Sequence, residues 1–212
     1  MLTLYFLRHG QTEYSRDDNF CGSGLDPDLT AEGRAMAAAF AGDYGSMPWA
    51  GVFASPLRRT IETARVLTDS WQLGLEIRDG LKEIGYGQWE GKTRAEVVRD
   101  FHDDYIRWEA DPAWNAPTGG ERGTVIARRV AEVIGEIKER HDYGPVLVVS
   151  HKATIRIALC ALLGIDVGRF RFRLACPVGS VSIVEFGKNG PLLRSLADQS
   201  HLPAELRAVP GT

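Results

Sequence analysis

The spacing of apolar residues along the chain switches repeatedly between a strand-like and a helix-like period. Short runs of three to seven residues, typical of buried strands, alternate with longer segments whose apolar residues recur every three to four positions. The run before the RHG triplet at 8–10 and the VLVV run at 146–149 are the clearest strand-like runs. The pattern predicts strands at 2–7, 51–54, 75–77, 146–149, 180–186 and 192–196.

The helix-like segments are preceded by residues that commonly begin helices. Thr30 can cap the first long segment, and Ser55 followed by Pro56 forms an N-cap and first-turn pair. Thr118 and Glu121 have capping-box spacing before a third segment. The pattern predicts helices at 31–44 and 57–73, a long helix that follows the capping box, and a further one at 154–163.

The alternation of strands with helices determines the predicted fold class. Residues 85–120, which are rich in aromatic and acidic side chains, predict short helices and loops that could cover a site. Elsewhere strand and helix follow each other in turn, which favours a mostly parallel sheet covered on both faces. We therefore expect one α/β domain over residues 1–212, a three-layer α/β/α sandwich.

Charge and cysteine content narrow the range of partners. A net charge of −3 disfavours nucleic acid as a partner, although a few converging arginines could still bind a small anion. Cys21, Cys160 and Cys176 are spaced too irregularly for a disulfide framework or a zinc site. The first residues become charged too soon for a signal peptide or a membrane span. These features predict a cytoplasmic protein that contacts no membrane.

Histidines follow two of the predicted strands directly. Arg8 and His9 come after the first strand, and Ser150 and His151 come after the strand at 146–149. In open α/β sheets the ligand crevice lies outside the carboxyl ends of the strands. The two histidines, though far apart in sequence, are therefore expected to meet at one site.

Two further strand ends add charged residues to this site. Arg58 and Arg59 lie in the first turn of the helix after the second strand, where free N–H groups also attract anions. The segment 78–83 can supply a carboxylate. Phosphoryl transfer needs such a set: cations around the phosphoryl oxygens, an imidazole nucleophile and a carboxylic acid that protonates the leaving group.

Five motifs, in this order, resemble those of the histidine phosphatase superfamily, which includes the cofactor-dependent phosphoglycerate mutases. They are LRHGQTE at 7–13, SPLRRTIETA at 55–64, LKEIGYGQWEG at 81–91, PTGGE at 117–121 and VVSH at 148–151. The resemblance implies a phosphoglycerate mutase-like fold and no metal or other cofactor. It further implies that His9 is the phosphorylated nucleophile, that Glu83 is the proton donor, and that Arg8, Arg58 and His151 hold the phosphoryl group.

Neighbouring residues could take some of these roles. Because the motif assigns the inward position to Arg58, we interpret Arg59 as a salt-bridging residue of the helix surface. Glu90 and Asp79 could compete with Glu83 for the acid role, and the motif favours Glu83.

Smaller matches extend the predicted substrate pocket. Ser15 stands where the family often has asparagine, and Cys21 with Gly22 matches a phosphate-lining turn. Lys152 replaces a glycine that usually follows the second histidine, and it either adds charge at the pocket rim or points to solvent. The remaining candidates are Tyr86, three residues after the acid, and His201, which is either part of a loose tail or, as we expect, a substrate contact.

Within the superfamily the sequence favours a phosphatase. Mutases carry extra basic residues after the acid, whereas residues 99–121 here are mainly acidic and aromatic. The segments 24–33, 160–170 and 200–202 are similar to metal-independent phosphoserine phosphatases, although Tyr86 stands where those enzymes tend to have histidine. The expected partner is a small phosphorylated metabolite. A mutase and a non-catalytic phospho-ligand scaffold remain alternatives, and homodimerisation stays open.

Overall fold

A six-stranded sheet forms the middle layer of the computed structural model, which describes residues 1–211. The strand order is β3-β2-β4-β1-β5-β6, with β1 to β4 mutually parallel and β5 and β6 antiparallel to their neighbours. The mostly parallel sheet is thus confirmed, with all six predicted strands. The strands are β1 (Leu2–Arg8), β2 (Gly51–Ala54), β3 (Leu75–Ile77), β4 (Gly144–Ser150), β5 (Val181–Gly187) and β6 (Gly190–Asp198).

Helices connect the strands, and the long ones match the predicted segments. Within residues 1–211, no helix is both long enough and apolar enough to cross a membrane. The helices are α1 (Glu13–Arg16), α2 (Ala31–Tyr44), α3 (Arg58–Trp71), α4 (Arg94–Asp100), α5 (His102–Ala110), α6 (Gly123–Arg140), α7 (Lys152–Leu163), α8 (Phe170–Arg173) and α9 (Ala204–Arg207).

The central strand β4 shows why the molecule has three layers. Val146 and Val148 pack into a core with α6 and α7, whereas Leu147 and Val149 pack into a second core with α2 and α3. Successive residues of a strand point to opposite faces, so an uninterrupted apolar run must be covered on both sides. All four are fully buried, and each burial contributes about 1.5–3 kcal/mol.

Two of the predicted helix caps are wrong, because tertiary partners take the capping side chains. The residue before α3 is Leu57, and the Ser55 hydroxyl accepts from the Leu57 amide at 3.3 Å and lies 2.8 Å from a ring nitrogen of His151. The residue before α6 makes no side-chain cap. Thr118 donates to Asp104, and the carboxylate of Glu121 accepts from the backbone of residue 85. The cap at Thr30 is confirmed, since its hydroxyl accepts from the amide of residue 33 at 3.0 Å.

The segment between β3 and α6 forms a small aromatic core of its own. Short helices and loops were expected here, and a 3₁₀ turn at Gly87–Trp89 precedes α4 and α5. Trp89 and Trp108 are buried together with Val97 and Tyr105. This packing fixes the segment beside the carboxyl ends of the strands, where it forms one wall of the cavity described below.

Gly33 in α2 lies against the backbone that follows β1. A Cβ atom at residue 33 would approach the Gln11 carbonyl oxygen to 2.1 Å, and one at Gly10 would approach the Gly33 carbonyl oxygen to 2.2 Å. This close contact positions the loop that begins with His9. The glycine is therefore required by a backbone-to-backbone contact, despite its poor helix propensity.

We expect Gly33→Ala to lower the free energy of unfolding by about 1–3 kcal/mol, because the backbone has to move apart. Gly42→Ala in the same helix is the matched control, since nothing lies within 4 Å of its added methyl group. That substitution should stabilise the helix by about 1 kcal/mol. Urea unfolding of both variants checks this, and equal stabilisation by both would contradict the proposed contact.

Candidate active site

A cavity of about 280 Å³ opens at the carboxyl ends of β1 and β4. This is the edge of the sheet where the ligand crevice was expected. Residues from the loops after β1, β3 and β4 contribute to its walls. Of the residues predicted for the site, it is lined by Arg8, His9, Ser15, Cys21, Glu83, Tyr86 and Lys152.

The two predicted histidines meet beside this cavity. Parallel pairing sets Arg8 opposite Ser150, so the next residue of each strand lies at the same level. The ring centroids of His9 and His151 are 5.2 Å apart, and both side chains are buried. The expectation that they lie close together is therefore confirmed.

His9 is held in the form that a nucleophile requires. Its Nδ1 lies 2.7 Å from the Gly10 carbonyl oxygen, which can only accept, so Nδ1 carries the proton and Nε2 keeps its lone pair. Burial, together with the nearby charges of Arg59 and Arg8, holds the pKa of His9 well below its usual value. The imidazole is consequently neutral at neutral pH.

Arg59, and not Arg58, is the arginine of α3 that lines the cavity. The Arg58 side chain is 66% exposed and pairs with Asp28 at 3.3 Å, whereas Arg59 is 1% exposed. The prediction for these two residues is therefore wrong. Adjacent residues of a helix point about 100° apart, so only one of them can face inward. Arg59 faces inward because the carbonyls of Gly22 and Leu25 accept from its guanidinium at 3.0 and 2.9 Å.

His151 supports Arg59 from behind. Arg59 Nε donates to His151 Nδ1 at 3.2 Å, so the ring proton resides on Nε2, which donates to Ser55 Oγ at 2.8 Å. Burial and the charge of Arg59 lower the pKa of His151 well below its usual value, which keeps the ring neutral. His151 is fully buried and lies outside the cavity lining. Its direct contact with a phosphoryl group stays a prediction.

The two residues of the turn, Cys21 and Gly22, have different roles. Cys21 lines the cavity, and burial raises the pKa of its thiol to about 11, so it remains uncharged. Gly22 lies behind the lining: a Cβ there would come within 2.1 Å of the Ile84 carbonyl oxygen. Its amide donates to Glu90 at 2.8 Å, while its carbonyl holds Arg59. Gly22 thus positions Arg59, which lines the cavity.

Glu83 is the one of the three candidate acids that lines the cavity. Its carboxylate accepts from the amides of Ala153 and Thr154 at 3.1 and 3.2 Å, at the start of α7. Glu90 is occupied by backbone amides, including that of Gly22, and Asp79 is 80% exposed beside Lys82. The geometry therefore favours Glu83 for proton transfer, as the sequence motif did.

The cavity carries more positive charge than the sequence motifs indicated. Arg8 is buried, and its Nη1 donates to the backbone carbonyl of residue 176 at 2.7 Å. Lys152 lines the cavity, and burial, with the charges of Arg8 and Arg156, lowers its pKa to about 8. Arg94, Arg156 and Arg171 also line it. Sequence reasoning missed these three, although Arg156 lies one helical turn after Lys152 and could have been found by that spacing.

Ser15 and Tyr86 complete the predicted lining. The Ser15 hydroxyl donates to the Thr12 carbonyl at 3.0 Å and accepts from the Thr12 amide at 2.9 Å, so it closes the first turn of α1. The Tyr86 ring packs edge-on against Phe20 and Trp108, with centroids 5.0 and 6.1 Å away. One wall of the cavity is thus aromatic.

His201 lies away from the cavity, so the expected substrate contact is wrong. Its ring packs edge-on against Phe40 and Tyr44, both at a centroid distance of 5.7 Å. Burial lowers its pKa, which favours the neutral ring. The C-terminal segment is therefore held by α2, on the opposite side of β1 from the α7 core.

Within residues 1–211, no group of three or more His, Cys, Asp or Glu side chains is arranged to hold a metal ion. The cavity is lined by a neutral imidazole, by the two carboxylates of Glu83 and Asp18 and by five guanidinium groups. That combination suits the binding of a small anion.

Inorganic phosphate should bind in this cavity, and Arg59→Met should weaken its affinity about 10- to 100-fold, the usual value of one charge-assisted hydrogen bond. Arg58→Met is the matched control and should bind within about twofold of the wild type, because its charge is exposed and screened. Isothermal titration calorimetry gives both constants, with circular dichroism to verify the fold. Equal weakening in the two variants would overturn the assignment of Arg59.

Known proteins share both the sequence pattern and this fold. The chain is 30% identical over 202 residues to phosphoserine phosphatase 1 of Hydrogenobacter thermophilus, covering 95% of each chain. It is 34% identical over 171 residues to glucosyl-3-phosphoglycerate phosphatase of Mycolicibacterium vanbaalenii, covering 77% of this chain and 75% of that one. The structure of YhfR from Bacillus stearothermophilus superposes with a TM-score of 0.88 at 26% identity, covering 95% and 99% of the two chains.

The family comparison agrees with the site geometry. The model of the histidine phosphatase superfamily (branch 1) matches residues 4–199, a range that includes both histidines, Arg59 and Glu83. The chain belongs to the histidine phosphatase superfamily.

Proposed function

We propose that this protein hydrolyses small phosphomonoesters through a phosphohistidine intermediate on His9. A phosphoric monoester hydrolase is supported by the family and by the phosphatases among its relatives. The observation that carries the intermediate is the state of His9, a buried neutral imidazole whose Nε2 lone pair is free to attack. Reaction without a metal ion, in the cytoplasm, is part of the proposal, and the three free cysteines are consistent with that compartment.

In the first step, Nε2 of His9 attacks phosphorus in line with the ester oxygen. A P–N bond forms as the P–O bond breaks, and Glu83, as the acid, gives its proton to the departing alkoxide. The carbonyl of Gly10, which accepts from Nδ1, stabilises the positive charge that develops on the ring. The alcohol leaves, and the phosphoryl group remains on the enzyme.

In the second step, water replaces the histidine on phosphorus. The Glu83 carboxylate takes a proton from the attacking water, the P–N bond breaks, and inorganic phosphate leaves with His9 neutral again. The amides of Ala153 and Thr154 hold the carboxylate in place for both transfers. One acid group therefore serves the two half-reactions.

Arg8 and Arg59 are proposed to bind the phosphoryl oxygens in both transition states. Both are buried guanidinium groups on the wall beside His9, where charge on an anion is poorly screened by water. Preorganised donors of this kind typically contribute about 10²–10³-fold to the rate each. His151 is proposed to act on the same group, at least through the orientation of Arg59.

A phosphoglycerate mutase is the second candidate, and one observation favours it. Arg94, Arg156 and Arg171 line the cavity, which gives more basic groups near the acid than residues 99–121 alone indicated. A phosphatase remains the better supported assignment, because two relatives that align along most of the chain are phosphatases by name. Phosphoserine and glucosyl-3-phosphoglycerate are thereby candidate substrates.

Release of inorganic phosphate tests the proposal directly. The wild type should hydrolyse members of a panel of phosphoserine, 3-phosphoglycerate, sugar phosphates and p-nitrophenyl phosphate in the presence of EDTA. His9→Ala should reduce turnover at least about 10³-fold, because the nucleophile is removed. Acid-labile phosphate on the trapped wild type, absent from the variant, would identify the intermediate. Isomerisation of 3-phosphoglycerate without net phosphate release would favour the mutase.

Glu83→Gln should reduce kcat/KM about 10²–10⁴-fold for an alkyl phosphate and far less for p-nitrophenyl phosphate, whose leaving group needs little protonation. The quantity kcat/KM is chosen because it reports the steps up to phosphoryl transfer and excludes the hydrolysis of the intermediate that follows. Asp79→Asn is the control and should change neither value, since Asp79 is exposed outside the cavity. Equal losses on the two esters would contradict the acid role of Glu83.

A further inference from the structure

Three cations form a separate group on the cavity wall, which we name the α7–α8 cluster: Lys152, Arg156 and Arg171. Lys152 and Arg156 lie one turn apart on α7, and Arg171 belongs to the short helix α8. All three line the same cavity as His9. None of them belongs to the motifs that indicated the catalytic centre.

Arg156 is buried without full use of its donors. The residue is 8% exposed, and its Nε has no hydrogen-bond partner among residues 1–211. One terminal nitrogen donates to the backbone carbonyl of Arg171, and the guanidinium lies 5.6 Å from the centre of the Phe170 ring. Burying a charged donor without a partner is strongly unfavourable. Such a group in a cavity wall indicates a ligand with an acceptor.

Arg171 is held flat in a similar way. Its guanidinium lies 4.0 Å from the centre of the Trp108 ring, an arrangement in which the ring face binds the cation and the donor edge stays available. Arg171 forms an ion pair with Glu109 at 3.9 Å, and within the described chain its buried Nη1 has no hydrogen-bond partner. Two aromatic rings thus fix two guanidinium groups and leave donors unused.

Electrostatic repulsion within the wall also indicates a missing anion. Burial and the charges of Arg8 and Arg156 lower the pKa of Lys152 to about 8, although Asp18 partly offsets them. Arg8 and Arg59 are already assigned to the phosphoryl group. Arg171 is paired with Glu109, but the charges of Lys152 and Arg156 have no role in the catalytic step, so a second negative group on the substrate would balance them.

We propose that the α7–α8 cluster is a second anion site, which binds a carboxylate or a second phosphate of the substrate and selects phosphomonoesters that carry one. This rests on the proposed function for its first half, the phosphoryl group at His9. Sugar phosphates and alkyl phosphates without a second anionic group are expected to bind more weakly.

The test measures binding in a His9→Ala background, so that it does not depend on turnover. Calorimetry compares 3-phosphoglycerate with glycerol 3-phosphate, which has a hydroxymethyl group in place of the carboxylate. It also compares glucose 1,6-bisphosphate with glucose 6-phosphate, which lacks the second phosphate. Arg156→Met and Arg171→Met are each added to this background. Arg173→Met is the matched control, because Arg173 lies on α8 but is exposed and outside the cavity.

Without further substitution, the doubly anionic ligand of at least one pair should bind more than about tenfold tighter than its partner. Arg156→Met or Arg171→Met should reduce that ratio about 10- to 100-fold, and Arg173→Met should leave it unchanged. A reduced ratio only for the first pair assigns a carboxylate, and one only for the second pair assigns a phosphate. Two variants are measured in case one of them misfolds, and thermal unfolding verifies the fold of each.

Ratios near one in all proteins, or ratios that neither substitution changes, would overturn the second anion site while leaving the phosphatase proposal intact. Failure of the proposed function shows separately, as absence of phosphate release by the wild type from every ester including p-nitrophenyl phosphate. The binding ratios decide the second anion site in either case.

Discussion

The parallel pairing of β1 with β4 is the constraint on which the rest of the site depends. It brings Arg8 level with Ser150, so that residues 142 positions apart in the chain place their following histidines side by side. A one-residue shift of this register would move each of the four buried apolar side chains of β4 into the opposite core, so packing on both faces holds the register. The buried strand β4 therefore also fixes the relative positions of His9 and His151.

Local sequence predicted the parts of the fold that depend on periodicity, and it was wrong where tertiary partners compete. The strands and long helices follow from apolar spacing alone. The caps at Ser55 and Thr118 could not be predicted, since the hydroxyl of Ser55 is taken by His151 and that of Thr118 by Asp104, residues distant in sequence. The inward arginine has the same cause: carbonyls of the turn at 22–25 select Arg59, and nothing local to α3 reveals them.

The site was predictable as far as strand ends and motifs could place it. His9, Glu83 and Arg8 line the cavity because each follows a strand or lies in a motif loop. The positions of Arg94 and Arg171 in the cavity wall could not be predicted, because they depend on the aromatic packing around Trp108. The prediction for His201 was wrong because the sequence does not reveal that this ring packs against Phe40 and Tyr44.

Glu90 has a consequence for how this site can change. Its carboxylate accepts from the amides of Gly22, Gly24 and Tyr86, and so ties the turn that holds Arg59 to the loop that follows the acid. The wall beside His9 is thus held together by one carboxylate, and a substitution at Glu90 would release three backbone amides at once. The α7–α8 cluster has its own bond, from Arg156 to the carbonyl of Arg171, and takes no part in the bonds of Glu90, so a substitution in the cluster leaves the turn that holds Arg59 in place.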